Sequence, residues 1–263
     1  MAMKRPVEIR QNIALYNLTL LIGPNESGKT ALLEKMYFVL SYTQKPEAIQ
    51  AADFITTSPE ETELRNPDEA EILLDEKMNY IIYTNPSAAF TSVSVQKLKP
   101  LIRLQSLSAA INEINSVLND VYNDLKTVRH EEEMDAISSA VRIVDEPVTP
   151  SFYTAFAVTL AVYAFALSLD GNKVLLLVDE PEAFAYPSVS YVAGRVFRHL
   201  ASKSENLFIV ATTHSWDFFA GAYRGGAEWV KVYNFRRNGR KIQIEPLKDD
   251  LYIPGFSMPS LLR

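Results

Sequence analysis

Three runs, Leu18–Ile22, Val174–Val178 and Leu207–Thr213, apolar but for Thr19, Thr212 and Thr213, frame the chain. Short runs without polar alternation predict strands covered on both faces, the condition of a parallel sheet. Ala31–Met36 follows the first run and reads as the opening turns of a helix. From Leu101 onward the pattern becomes helical. Leu107, Ile111, Ile114, Leu118, Val121, Leu125 and Val128 alternate steps of four and three, a heptad-like stripe. It suits either a short coiled-coil projection or an amphipathic helix laid on the domain, and the second is the plainer expectation. Trp229–Phe235 and Lys241–Pro246 flank Arg237-Asn238-Gly239-Arg240, where Asn-Gly predicts a hairpin. Residues 46–69 are rich in proline and acid and read as an exposed loop. Glu71–Asp75, Tyr80–Thr84 and Ser92–Lys97 read as short strands, with a turn at Asn85-Pro86-Ser87. The sum is an α/β chain, one domain over 1–263 with a helical insertion at 101–146.

Pro147–Leu169 carries no charged residue and must be weighed as a membrane span. Against insertion stand Thr149, Ser151, Thr154, Thr159 and Ser168, and acidic flanks at Asp145-Glu146 and Asp170. A helix buried in protein is expected instead.

Chemistry enters directly after the first run. Gly23, Pro24, Asn25, Glu26, Ser27, Gly28, Lys29 and Thr30 complete the pattern G-x-x-x-x-G-K-Ser/Thr, and Ala31 carries the chain into the helix. Between a strand and a helix, such a loop turns backbone N–H groups and the helix N-terminus onto a polyphosphate. Lys29 then supplies charge at the β/γ-phosphates, and Thr30 a hydroxyl ligand for Mg²⁺. The second run ends in Asp179-Glu180-Pro181. At the C-terminal end of a parallel strand, Asp179 is placed for the Mg²⁺ shell and Glu180 to polarise a water for attack on a γ-phosphate. A plain turn is the alternative for the same residues. The third run ends in His214-Ser215, where a γ-phosphate-sensing side chain would sit, whereas His130 and His199 lack such a setting and read as surface groups. ATP is the expected ligand.

Taken together and in this order, the three motifs resemble the ABC-type ATPases. Asp179-Glu180-Pro181-Glu182-Ala183-Phe184-Ala185-Tyr186-Pro187 and Ala211-Thr212-Thr213-His214-Ser215 are similar to the soluble branches, which include SMC-like repair proteins, RecF-like proteins and OLD-family ATPase domains. The resemblance covers roughly residues 6–45 and 147–235. It implies a P-loop NTPase fold with a mixed sheet, whose antiparallel flank would be the strands between 71 and 97. It also implies ATP and Mg²⁺ as cofactors. The family's Leu-Ser-Gly-Gly-Gln signature falls here on Thr149-Pro150-Ser151-Phe152-Tyr153-Thr154, so Phe152 and Tyr153 stand where glycines would allow close backbone approach. Either these aromatics obstruct the usual ATP-sandwiched dimer, or they turn inward and pack on the sheet. Gln44, Gln50 and Gln96 are the candidates for the glutamine that the family places after its first helix.

Composition narrows the partners. Net charge is −6, giving no global electrostatic case for nucleic acid, although basic residues cluster at Arg236, Arg237, Arg240 and Lys241 and at Lys4, Arg5 and Arg10. There is no cysteine, so disulfides and thiolate metal sites are excluded, which fits a reducing compartment. Glu8 and Arg10 interrupt any secretory apolar core, and a cytoplasmic location is expected. No guanine-reading Asn-Lys-x-Asp and no nuclease constellation occurs. The expected function is Mg²⁺-dependent ATP hydrolysis to ADP and phosphate, slow in isolation. It would be coupled to a conformational or assembly change in DNA repair, genome maintenance or antiviral defence. The alternative is a nucleotide-dependent regulatory subunit acting on a separately encoded effector such as a nuclease. A second copy or a different protein would complete the site.

Overall fold

The computed structural model describes residues 13–25, 27–44, 47–50, 77–86, 98–125, 153–223, 228–238 and 241–247. The strands are β1 (Leu18–Ile22), β2 (Glu47–Gln50), β3 (Tyr80–Thr84), β4 (Val174–Val178), β5 (Leu207–Thr213), β6 (Val230–Asn238) and β7 (Lys241–Pro246). The helices are α1 (Lys29–Gln44), α2 (Leu104–Leu125), α3 (Tyr153–Leu169), α4 (Pro187–Lys203) and α5 (Trp216–Tyr223). Among the described residues, one sheet contains these seven strands in the order β2-β3-β4-β5-β1-β6-β7. Every pairing is parallel except β6 with β7.

The apolar runs behave as strands covered on both faces. In β4, Val174, Leu176 and Val178 enter one core cluster, while Leu175 and Leu177 enter the other. β1 divides likewise, with Leu18, Leu20 and Ile22 on one side and Leu21 on the other. α1 covers the second face, setting Leu32, Leu33, Met36, Tyr37 and Leu40 against it. On the first face lies α3, buried from Tyr153 to Ser168 except at Val158. α2 and α4 pack outside it. This position explains why α3 lacks a polar face: a helix apolar all round is one enclosed all round. No helix among the described residues is long and apolar enough to cross a membrane.

Two expectations are corrected. Tyr80–Thr84 is not part of an antiparallel flank; it runs parallel between β2 and β4, with Ile81, Ile82 and Tyr83 fully buried. Its continuous Tyr-Ile-Ile-Tyr sequence is the mark of a strand covered on both sides. Glu47–Gln50, inside the span read as a loop, is β2, whose backbone takes its pairing from β3. The antiparallel edge lies instead at the opposite end of the sheet. There β6 and β7 form the expected hairpin, with Asn238 opposite Lys241. Glu71–Asp75 and Ser92–Lys97 fall outside the described residues.

The heptad stripe is an amphipathic helix packed on the domain over its described part. Ala110, Ile114 and Val117 are buried, and Leu107 and Leu118 are partly so. Val128 and the rest of the expected insertion, 126–146, lie outside the described residues, as does His130. His199 is more than a surface group, because its Nε2 lies 2.7 Å from Glu113 Oε2 and ties α4 to α2. Lys203 Nζ is 3.3 Å from the same oxygen. Chiefly through His199, the pair holds the Glu113 carboxyl below its ordinary range.

α4 and α5 touch backbone to backbone. A Cβ at Gly194 would lie 2.2 Å from the Phe218 carbonyl oxygen, and one at Gly221 would lie 2.1 Å from that of Tyr191. Only glycine fits either position.

Candidate functional site

The sheet register brings three strand ends to one edge. Ile22 of β1 lies opposite Thr213 of β5, and Val178 of β4 lies opposite Ala211 of β5. The segment after β1, the acid pair after β4 and the histidine after β5 therefore emerge side by side, with β5 in the middle.

Gly23 and Gly28 have φ of +141° and +97°, backbone that side chains rarely adopt. At Gly23 space is also decisive, since a Cβ would stand 2.4 Å from the Phe235 carbonyl oxygen on β6. Lys29 opens α1 and is buried. Its Nζ donates to the carbonyls of Gly23 and Pro24, each at 2.8 Å, and lies 3.4 Å from Ser27 Oγ. The cation thus sits inside the curve of its own loop. Burial lowers its pKa, and Glu180, Asp179 and Glu182 oppose that shift in descending order. Pro24, Asn25, Thr30 and Ala31 are exposed, Ser27 is buried and Gly28 is half-buried. Glu26 lies outside the described residues.

Asp179 is buried directly after β4 and held from several sides. Its N–H donates to the Thr84 carbonyl at 2.9 Å. Thr212 Oγ1 donates to Oδ1 at 2.6 Å, and Thr30 Oγ1 lies 3.0 Å from both carboxylate oxygens. Burial raises the carboxyl above its usual range despite these donors. The structure thus brings Thr30 and Asp179, the two expected Mg²⁺ ligands, into contact across the sheet edge. No group of three or more His, Cys, Asp or Glu able to hold a metal occurs among the described residues. A hydroxyl and a carboxylate fit Mg²⁺, which takes hard oxygen donors and fills most of its shell from water and phosphate. A buried carboxylate resisting ionisation is also one that a cation would relieve.

Glu180 has φ of +46°, which is uncommon for a residue with a side chain. Two bonds hold this turn: the Glu180 N–H donates to Thr212 Oγ1 at 2.9 Å, and the Ala183 N–H donates to the Glu180 carbonyl at 2.8 Å. Strain of this kind costs roughly 1–3 kcal/mol and persists where its surroundings over-determine it. The Glu180 carboxylate meets His214, with Nδ1 3.3 Å from Oε1. His214 is half-exposed, and the pairing with Glu180 raises its pKa. Reciprocally, His214 holds the Glu180 carboxyl below its ordinary value. Glu180 is therefore ionised at neutral pH, the state a proton acceptor needs.

Tyr153, expected either to obstruct or to pack, packs. It is fully buried at the start of α3, and its hydroxyl donates to the Asp179 carbonyl at 2.7 Å. Burial also raises its pKa well above the usual phenol value, keeping the donor protonated. Tyr153→Phe should leave that buried carbonyl unpaired and lower stability by about 1–3 kcal/mol. Urea unfolding curves of the two proteins measure this, and coincident midpoints would show that the bond contributes nothing. Ser151 and Phe152 lie outside the described residues. Gln44 closes α1 and Gln50 closes β2, while Gln96 is outside the described residues.

Several neighbours that the sequence reading quoted without assigning them these contacts complete the site. Thr212, Thr213 and Tyr153 each place a hydroxyl on a strand-end acid or its backbone, and Glu182 is buried beside His214. Their one signal in sequence was position: two hydroxyl residues closing β5, and a second glutamate two places after the first.

No family model matches the chain, and no curated protein matches it. Among solved structures, it is similar to the SMC head domain from Thermotoga maritima, at 12% identity and a TM-score of 0.44, over 90% of this chain and 92% of that one. It is also similar to the Smc head domain from Pyrococcus furiosus bound to the C-terminal domain of ScpA, at 12% identity and a TM-score of 0.40, covering 89% and 90%. A nucleotide-free ATP-binding cassette from an ABC transporter matches at 18% identity and a TM-score of 0.34, covering 84% and 78%. The phosphate-loop pattern after β1, the acid pair after β4 and the histidine after the intervening β5 stand together on one edge of this α/β sheet.

Proposed function

We propose that the chain binds Mg·ATP and hydrolyses it to ADP and phosphate. The observation that carries this reading is the convergence of Lys29, Thr30, Asp179, Glu180 and His214 on one sheet edge from three separate strand ends. In this reading the loop from Gly23 to Thr30 cradles the phosphates, and Lys29 exchanges its two carbonyl partners for phosphate oxygens. Thr30 and Asp179 hold Mg²⁺, whose contribution would be to neutralise charge on the phosphate oxygens. Glu180, ionised at neutral pH, orients a water and accepts its proton. His214 hydrogen-bonds the γ-phosphate as charge develops there, an interaction that acts on the barrier more than on affinity.

Turnover by the isolated chain is slow in this reading, because the residues aligned with the family's signature offer no glycines to a second nucleotide. Tyr153 is committed to the domain's own interior rather than to a partner. The cycle would serve assembly with a second copy or another protein, in DNA repair, genome maintenance or antiviral defence. That same commitment favours a second reading, a regulatory subunit that binds ATP and controls a separately encoded effector. Phosphate release by the purified protein tests the first. Hydrolysis should require added Mg²⁺ and stop with excess chelator, and a protein that binds ATP yet releases no phosphate would favour the second.

A further inference from the structure

Glu182, two residues after Glu180, has no task in the proposed chemistry. It is buried more deeply than Glu180, with its side chain 4% exposed against 29%. A carboxylate in that position is costly unless it is held, and it is held by the turn that carries His214. Thr213 Oγ1 donates to Glu182 Oε1 at 2.5 Å, the His214 N–H donates at 3.2 Å and the Ser215 N–H at 3.3 Å. One oxygen thus gathers three donors from three successive residues. Thr213 Oγ1 also accepts from the Ser215 N–H at 3.0 Å, which closes the turn on itself. The other oxygen, Oε2, is buried without a hydrogen-bond partner among the described residues.

We propose that Glu182 is a positioning residue: its Oε1 fixes the Thr213–Ser215 turn so that the His214 imidazole faces the Glu180 carboxylate. This rests on the ATPase reading only for its effect on turnover; the placement of His214 is a claim about the folded chain. The distances fit a division of labour. His214 Nδ1 is 3.3 Å from Glu180 Oε1 but 3.8 Å from Glu182 Oε1, so the imidazole pairs with the first while the backbone is held by the second. Burial pushes the Glu182 carboxyl up to about 7, so the neutral acid is accessible near neutral pH. Neutral or ionised, Oε1 keeps lone pairs for the three donors. Glutamine reproduces the neutral form, whereas alanine removes the acceptor.

The experiment reads His214 directly and then reads turnover. The chain has three histidines, so the His214 ring signal is identified by its loss from the NMR spectrum of His214→Ala. In the wild-type protein its titration is raised chiefly by Glu180 and less by Glu182, with burial and then Lys29 opposing. Glu182→Ala should return that titration toward the ordinary histidine value. Glu182→Gln, which removes the same charge but keeps the acceptor, should hold most of the elevation. In turnover, Glu182→Ala should lower kcat roughly ten- to a hundredfold with KM for ATP little changed, the scale expected when a reacting group is misplaced. Glu182→Gln should recover most of that loss. In a His214→Ala background, Glu182→Ala should cost nothing further, because the two act as one unit. Should Glu182→Ala fail to fold, Thr213→Val removes one donor and carries the same readouts with smaller shifts. An unmoved His214 titration in Glu182→Ala, equal titrations in the alanine and glutamine variants, or a multiplicative loss in the double variant would overturn the proposal. Absence of hydrolysis in the wild-type protein would overturn the ATPase reading and leave the titration test standing.

Discussion

Lys29→Ala is expected to abolish measurable Mg·ATP binding. Lys29 is buried, so its ammonium meets phosphate with little water between, and a charge-assisted bond there is stronger than one at the surface. Truncating one member of a buried, hydrogen-bonded charge pair costs about 2–5 kcal/mol, a weakening of roughly thirtyfold to several thousandfold. The loop suffers as well, because the Gly23 and Pro24 carbonyls lose the donor that draws them together. Both effects act on affinity, so calorimetric titration is the proper measurement. Unchanged affinity would remove the phosphate-loop assignment altogether.

Glu180→Gln is expected to keep ATP bound while turnover falls by roughly a hundredfold or more, the usual contribution of a positioned proton acceptor. The amide keeps the length of the side chain and can still meet His214, so the geometry at 3.3 Å is preserved while the acceptor for the proton is lost. Removing the Glu180 charge should also let the His214 titration fall, since that carboxylate is the main cause of its elevation. Single-turnover hydrolysis with calorimetry on the same preparation separates binding from chemistry. Equal hydrolysis by both proteins would place the catalytic base elsewhere. Light scattering on this variant, with and without ATP, would then report any assembly that trapped nucleotide drives.

Most of the sheet was legible because its strands are covered on both faces. A strand enclosed this way cannot alternate polar with apolar residues, so β1, β4 and β5 read as runs that are apolar but for threonines. β3 carries the same kind of run but was assigned to an antiparallel flank, because pairing partners are set by tertiary neighbours and not by a strand's own residues. β2 left no signal at all, since Glu-Ala-Ile-Gln gains its order from β3. In the site, the groups with a fixed spacing to a strand end were readable: Lys29, Thr30, Asp179, Glu180 and His214. The groups that hold them were not. Tyr153 reaches the Asp179 carbonyl from 26 residues away, and Thr213 meets Glu182 across 31. No local pattern encodes a hydrogen bond between segments so far apart. Glu182 was visible as part of a motif, but its burial, which defines what it can do, emerges only when β4 and β5 lie side by side.

The contact at Gly194 and Gly221 has a mechanical consequence. α4 begins where the turn carrying Glu180 ends, and α5 begins directly after His214 and Ser215. With two main chains in contact and no side chain between them, the helices have no compressible layer through which one could slide past the other. A push on either turn is therefore delivered into the same stiff body. A displacement at either turn would be shared with α4, at whose far end His199 and Lys203 meet Glu113 of α2. The side-chain-free seam thus couples the strand-end turns to the α2–α4 contact as one stiff unit.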